Sequence, residues 1–463
     1  MTSLDNTIAP PAYRHAELLI RGGTVMTPGG AERIDVACSN GRIVALGDLH
    51  GSWNADTLLD ATGLHVLPGV IDSQVHFREP GLVHKENLEA GTRGAVLGGV
   101  TAIFEMPNTT PLTLTTADLQ AKLEAAAGRA WCDHAFYIGG SAINAEQLAL
   151  LEQLPGCAGV KVFMGSSFGD LLADEDTVLR KILRHGKRRL AVHAEDEARL
   201  RERKALVQTS GDVCQHPHWR DVQSALQATQ RIVHLAAETG RRLHVLHVTT
   251  AEEMAFLAMH KDRITVEVTP HHLTMHAPDC YQRLGSLAQM NPPVREKHHQ
   301  EALWQAICEG VVDVIGSDHA PHTLAEKTRP YPESPSGMTG VQTLLPLMLD
   351  HVNAGRLSLQ RLVDLTSAGP ARIFGIAGKG RIALGYDADF SMVDLQARRV
   401  IRNDWIASVS GWTPYDGHAV TGWPIHTVLR GQPVVLDEQL LGKPAGKAIH
   451  FLDAHSDPNV GID

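Results

Sequence analysis

The chain has 463 residues, more than one average domain, and its length suits a large α/β barrel with a smaller domain attached. A composition of 43% hydrophobic and 20% charged residues, with Gly 42 and Pro 24, excludes the low-complexity and fibrous classes. The formal net charge of -10 argues against a broad nucleic-acid surface, which needs clustered positive charge.

Residues 17 to 50 read as short β runs separated by Gly, Asp and Asn turns. No apolar core of the signal-peptide kind opens the chain, and no run of about 18 apolar residues offers a membrane span. From residue 65 onward, strand-like and helix-like runs alternate, as βα units around a parallel sheet do. The strand candidates are "HVLPGVIDSQVHF" (65 to 77), "VTAIFEM" (100 to 106), "CDHAFYIGG" (132 to 140), "AGVKVFMG" (158 to 165), "RLAVHAE" (189 to 195), "RLHVLHV" (242 to 248), "ITVEVTP" (264 to 270) and "VVDVIGSD" (311 to 318). Helix candidates lie between them, among them 86 to 99, 116 to 128 and 221 to 240, the last ending on Gly240 as a C-cap. Eight such repeats between about 65 and 375 make a closed (βα)8 barrel of the TIM type the economical solution. An open doubly wound sheet would lack the glycine-rich phosphate turn that usually marks one. The basic run "RHGKRR", 184 to 189, reads as a solvated helix end. Residues 380 to 437 return to short β runs, and the two β-rich ends are expected to pair into one small discontinuous β domain. The expected division is 1–64, 65–378 for the barrel, and 379–463.

Six scattered cysteines without a CxxC fit reduced thiols in a cytoplasmic protein better than a disulfide framework or a zinc knuckle. The 26 histidines are the composition signal for chemistry, so position must select among them. In a barrel, catalytic groups project from the C-terminal ends of the strands. The first strand ends in Gln74, His76 and Arg78, the fourth carries Lys161, the fifth ends at His193, the sixth at His247, and the eighth at Asp318, followed by His319 and His322. Any one strand-end histidine is more often structural than a ligand, and an Asp there often caps the next segment. Three histidines, an Asp and a lysine at the same end of five strands are a different matter, because imidazole nitrogen and carboxylate oxygen are ligands of a hydrolytic divalent ion. A lysine inside "GVKVFMG" is costly to bury as an unpaired ammonium. As a neutral amine it can add CO₂, and the resulting carbamate is an anion able to bridge two cations.

"DSQVHFREPG", "EMPNT", "GVKVFMGSS", "VHAED", "LHVTT", "VTPHHL", "NPPVR" and "SDHAPH" occur in the order and approximate spacing seen in the dihydroorotases, of the cyclic amidohydrolase group of the amidohydrolase superfamily. The chain resembles that family over nearly its whole length, tail segments "GRIALGYDADFSMVD" and "TPYDG" included. The resemblance implies that His76, His193, His247, Asp318 and carboxylated Lys161 hold Zn²⁺. It makes Arg78, Asn108 and His322 the holders of a substrate carboxylate, and Asn291 a contact to the ring. Asn108 and Asn291 also suit ordinary turns beside Pro107 and Pro292. The implied reaction is reversible hydrolysis of dihydroorotate to N-carbamoyl-L-aspartate, with Asp318 moving the proton. The family also implies a homodimer, with aspartate transcarbamoylase as a further partner.

The chain departs from the family pattern at Gln74, where the first histidine of an HxH pair belongs. An amide oxygen is a poorer zinc ligand than imidazole. One firmly held ion is therefore expected, with a second held more weakly, Gln74 being a weak ligand or none. Two other readings compete: an allantoinase or hydantoinase, against which Arg78 argues, and a non-catalytic scaffold, against which the intact remaining ligands argue. Segment 326 to 340, rich in Pro, Ser and Gly, is expected to loop over the mouth of the site, as a lid or a plain connection.

Overall fold

The computed structural model describes residues 14–165 and 169–454. Eight parallel strands form one sheet in sequence order: β1 (Val70–Val75), β2 (Val100–Glu105), β3 (Asp133–Gly139), β4 (Cys157–Phe163), β5 (Leu190–His193), β6 (Leu243–Val245), β7 (Ile264–Val268) and β8 (Val314–Ile315). Every residue of these strands is buried, as expected of a parallel sheet covered on its outer face by helices and filled on its inner face by side chains. The sheet closes between β8 and β1 through a bridge of Val75 to His319, where the His76 amide donates to the His319 carbonyl at 2.7 Å. The buried Asp72 carboxylate helps by accepting from the Ser317 amide at 2.9 Å. The expected barrel is the observed one.

The helix expected over 221 to 240 is found at Val222–Thr239. Asp221 caps it by accepting from the Ser224 amide, and Gly240 ends it in the left-handed conformation, φ 75°. Among the described residues, no helix is long and apolar enough to cross a membrane.

Two strand expectations change. The run 65 to 77 is two strands in two sheets: His65–Pro68 pairs antiparallel with Phe390–Val400 and parallel with Thr24–Thr27, and only Val70–Val75 enters the barrel. The switch occurs at Gly69, where a Cβ would lie 2.2 Å from the Thr101 hydroxyl and 2.9 Å from the Asp389 Cβ. Only glycine lets the chain pass from sheet to sheet there. The run 311 to 318 contains just two strand residues. Its N-terminal part folds back, the Val311 amide donating to the Ala306 carbonyl, and its C-terminal part turns out of the sheet to present Asp318.

The β-rich ends form two sheets. One has four strands, all drawn from residues 14 to 60, and the other has seven, combining Thr24–Thr27, Gly30–Arg33 and His65–Pro68 with Phe390–Val400, Ala419–Leu429, Gln432–Leu436 and Gln439–Leu440. Both sheets share one apolar core, in which Leu18, Ile20, Val36 and Cys38 meet Val66, Phe390, Met392 and Val428. The run 184 to 189 is also less solvated than expected, since Arg188 is buried and pairs with Asp453 at 2.7 Å.

Lys379 fastens the terminal sheets to the barrel. Its ammonium lies 2.5 Å from Asp389, 2.7 Å from Asp133 at the start of β3 and 3.1 Å from Asp387, and Arg430 also pairs with Asp133. Despite burial, these carboxylates drive the lysine pKa upward. Removing one member of such a buried network leaves uncompensated charge, a loss of about 3 to 5 kcal/mol. Lys379→Met is therefore expected to lower the thermal unfolding midpoint by several degrees in calorimetry, and an unchanged midpoint would show that the three acids need no cation.

Candidate active site

All ten residues singled out in the sequence, Gln74, His76, Arg78, Asn108, Lys161, His193, His247, Asn291, Asp318 and His322, line one cleft at the C-terminal ends of the strands. It encloses about 220 Å³, a volume for a small ring rather than a polymer. Seven non-glycine residues of the described chain have positive φ, and three of them are here: Arg78 (61°), His247 (37°) and Asp318 (47°). That conformation is uncommon for non-glycine residues and costs free energy, and it tends to persist where the surroundings dictate a side chain's direction.

Lys161 stands near the middle of the ligand-rich wall. It is buried on β4, has no ion pair among the described residues, and its Nζ lies 4.5 Å from the centre of the Phe163 ring. Burial pushes its amine down to about 7, so a neutral, nucleophilic form is accessible near neutral pH.

His193, at the end of β5, sits between two partners: its Nε2 is 2.8 Å from Glu195 Oε2 and its Nδ1 is 2.9 Å from His247 Nε2. Burial opposes ionisation of Glu195, yet Arg220 and His193 outweigh it and hold the carboxyl well below the usual range. An ionised Glu195 accepts a hydrogen bond from His193 Nε2–H, which leaves Nδ1 with its lone pair toward His247. On the opposite wall His76 Nδ1 is 2.8 Å from Asn108 Oδ1, and its Nε2 is 3.2 Å from Asp318 Oδ1. Gln74 donates from Nε2 to the same Asp318 oxygen at 3.0 Å, while its buried Oε1 has no hydrogen-bond partner.

Among the described residues no three His, Cys, Asp or Glu side chains form a ready ion-holding group. The nitrogens and oxygens stand instead as two facing pairs, His193 with His247 and His76 with Asp318, lining the same cleft as Lys161. Each pair is close enough to share one hydrogen, since an imidazole nitrogen donates or accepts according to its tautomer. The donor chemistry fits a divalent cation.

Arg78 and His322 form another wall. Arg78 donates from Nε to the Pro321 carbonyl at 3.2 Å, and its Nη2 is 3.2 Å from His322 Nε2. Burial lowers its pKa to about 10, which still leaves a cation at neutral pH, and it forms no ion pair among the described residues. Asn291 is oriented by His216, whose Nε2 lies 3.1 Å from Asn291 Oδ1.

Glu195, Arg220 and His216 were not picked out in the sequence. Glu195 lies inside "VHAED", two residues from His193, so a carboxylate within reach of the ligand histidine was visible there. Arg220 and His216 reach the site from a separate segment and carry no local signal.

Pro335, Ser336 and Gly337 line the cleft, so the segment after the eighth strand does reach its mouth. It is tied down. The Gly337 amide donates to the Gln289 carbonyl at 2.9 Å, and Lys327 donates to the carbonyls of Gln289 (3.2 Å) and Pro335 (2.8 Å). Gly337 has φ 137°, and a Cβ there would lie 2.2 Å from the Ala320 carbonyl oxygen and 3.0 Å from the His322 ring. Ser166 and Ser167, which end the "GVKVFMGSS" motif, lie outside the described residues.

The profile of the amidohydrolase family matches residues 65–434. The chain belongs to the amidohydrolase family. It is 35% identical over 424 residues to the dihydroorotase of Methanosarcina mazei, covering 89% of this chain and 92% of that protein. It is 34% identical to the allantoinase of Deinococcus radiodurans over 94% of this chain and 98% of that one. Among solved structures, the L-hydantoinase (dihydropyrimidinase) from Arthrobacter aurescens matches with a TM-score of 0.89 at 29% identity, over 94% of this chain and 99% of that one. This amidohydrolase is thus a cyclic amide hydrolase on a TIM barrel.

Lys327 is buried with no carboxylate beside it among the described residues, and burial pushes its amine down to about 7. Lys327→Met removes the lysine's hydrogen bond to the Pro335 carbonyl and one of the two to the Gln289 carbonyl, leaving the Gly337 amide to hold the latter. Amide hydrogen exchange at Gly337 is expected to speed up at least tenfold, with the barrel strands unchanged; equal protection in both proteins would show that the lysine fastens nothing.

Proposed function

We propose that this amidohydrolase is a dihydroorotase, interconverting (S)-dihydroorotate and N-carbamoyl-L-aspartate in the cytoplasm, ring closure being its direction in pyrimidine synthesis. The observation that carries the reading is Arg78: a buried guanidinium at the wall of a small cleft, with no ion pair of its own among the described residues. A buried cation of that kind rewards a substrate carboxylate, which a guanidinium binds through two parallel hydrogen bonds. Dihydroorotate carries a carboxylate, whereas hydantoin and allantoin rings carry none. The dihydroorotase relatives at 35% identity support the same assignment, and the allantoinase and hydantoinase relatives support the shared ring-opening chemistry.

In this reading His193, His247 and a carboxylated Lys161 would hold one Zn²⁺ firmly. His76, Asp318 and Lys161 would hold a second more weakly, because Gln74 offers only a neutral amide oxygen. A divalent ion supplies Lewis acidity and lowers the pKa of bound water. The chain's own groups do the rest. Arg78 and His322 bind the carboxylate, with Asn108 beside them, and Asn291 contacts the ring. Asp318 takes a proton from the attacking water as the C–O bond forms, then gives it to the ring nitrogen as the C–N bond breaks. In ring closure the same carboxylate works in reverse. Glu195 fixes which nitrogen of His193 carries its proton.

Arg78→Gln is expected to raise the KM for dihydroorotate at least 100-fold while changing kcat less than tenfold, since the lost contact acts away from the scissile bond. Wild-type protein that opens allantoin or a hydantoin well above the rate for dihydroorotate would overturn the substrate assignment. Gln74→His is expected to raise the metal content toward two ions per chain in elemental analysis. Equal stoichiometry in the two proteins would mean that Gln74 does not limit the second ion.

A further inference from the structure

Lys85 has no part in the scheme above and does not line the cleft, yet it touches the one histidine of the carboxylate wall. Its Nζ lies 3.1 Å from His322 Nδ1 and 3.0 Å from Glu326 Oε1. The far side of the same imidazole, Nε2, lies 3.1 Å from the Ser336 carbonyl oxygen and 3.2 Å from Arg78 Nη2. The ring is held in place by its own backbone, the His322 carbonyl accepting from the Trp412 indole at 2.7 Å.

Proton counting decides the state of this ring. A lysine paired with a carboxylate is an ammonium, which has three donors and no acceptor, so His322 Nδ1 must accept from it. Ser336 contributes a carbonyl, which only accepts, so Nε2 must carry the hydrogen. Both contacts require the same tautomer. The opposite tautomer would set a donor against Lys85 and a lone pair against the Ser336 carbonyl, losing two hydrogen bonds to make one with Arg78. The doubly protonated ring is disfavoured by burial and by the surrounding cations Arg78, Lys85 and Lys327.

The consequence falls on the 3.2 Å approach of Arg78 Nη2 to His322 Nε2. In this tautomer it is donor against donor. Two N–H groups then crowd together at the cleft wall, and an anionic oxygen entering the cleft accepts from Arg78 and shares the single Nε2 hydrogen with the Ser336 carbonyl.

We propose that Lys85 is a positioning residue that locks His322 in its neutral Nε2–H tautomer, so that His322 and Arg78 present two donors to a substrate carboxylate. Glu326 completes the device by pairing with Lys85 and aiming it at the ring. It is itself fixed by the Thr323 amide and hydroxyl, which donate to its Oε2 at 3.0 and 2.9 Å. The kinetic consequence rests on the dihydroorotase reading; the tautomer does not.

The test is Lys85→Met, which keeps the length of the side chain and removes its donors, with Lys85→Arg as the conservative variant. In ¹⁵N-histidine-labelled protein without substrate, the wild-type His322 resonances, assigned with His322→Gln, are expected to show Nε2 protonated and Nδ1 bare. Lys85→Met should move them toward a mixture of tautomers, and Lys85→Arg should restore the wild-type pattern. The KM for dihydroorotate should rise about tenfold or more in Lys85→Met, with kcat within threefold and the metal content unchanged. An Nε2–H ring that persists in Lys85→Met would overturn the proposal, whatever the kinetics. A tautomer shift in a protein that does not turn over dihydroorotate would uphold the lock and remove the substrate reading instead.

Discussion

The arrangement of the cleft follows from one constraint: Lys161 is an amine inside a parallel barrel, and among the described residues no carboxylate is close enough to pair with it. A buried ammonium without a partner loses its hydration and gains nothing in return. The nearby acids do not relieve it. Asp318 and Glu267 act on it only from beyond ion-pair distance, and burial raises Glu267 to about 8, so that at neutral pH it is largely uncharged. Asp72, deeper in the barrel, is likewise raised to about 7 by burial. The interior therefore leaves Lys161 three choices: a neutral amine, a chemical modification, or a cation compensated by something from outside the chain. Each favours a functional role over a structural one.

The same economy explains the layer around it. His193 and His247 face each other, His76 faces Asp318, and the outward nitrogens of His193 and His76 are committed to Glu195 and Asn108. Glu195 in turn is locked by Arg220, so the orientation of one imidazole is set by a carboxylate and a guanidinium that never reach the cleft. Such outer partners convert a flexible ring into one with a fixed direction. The three left-handed backbone residues do similar work, since Arg78, His247 and Asp318 leave their strands sharply enough to aim side chains inward rather than along the sheet.

The barrel and eight of the ten cleft residues are legible in local pattern, because buried strands read as apolar runs and functional groups gather at their C-terminal ends, whereas Asn108 and Asn291 are implied only by the resemblance to the dihydroorotases. What escaped the reading depends on contacts between distant segments. The split of 65 to 77 at Gly69 is set by Thr101 and Asp389, which no window around Gly69 contains. The pairing of the two β-rich ends is set the same way: Thr24–Thr27 and Gly30–Arg33 join the sheet of Phe390–Val400, while the strands that flank them in sequence pair among themselves. Arg188 looked solvated beside its basic neighbours, but its partner Asp453 lies near the other end of the chain. Arg220 and His216 were invisible for the same reason.

Gln74 shows how a departure from a family pattern acquires meaning only in its surroundings. A histidine at this position would present one nitrogen to the cleft and need a partner for the other. The glutamine divides its two functions differently. Its amide nitrogen already donates to Asp318 Oδ1, and its Oε1 is the atom left over, buried and unpartnered. An unsatisfied buried carbonyl oxygen costs roughly 1 to 3 kcal/mol, so the position is stabilised by any donor or cation that reaches it. The same hydrogen bond holds in place the Asp318 carboxylate, the group proposed to move the proton. The substitution thus trades a stronger donor for a group that steadies Asp318 while keeping one weak oxygen facing the cleft.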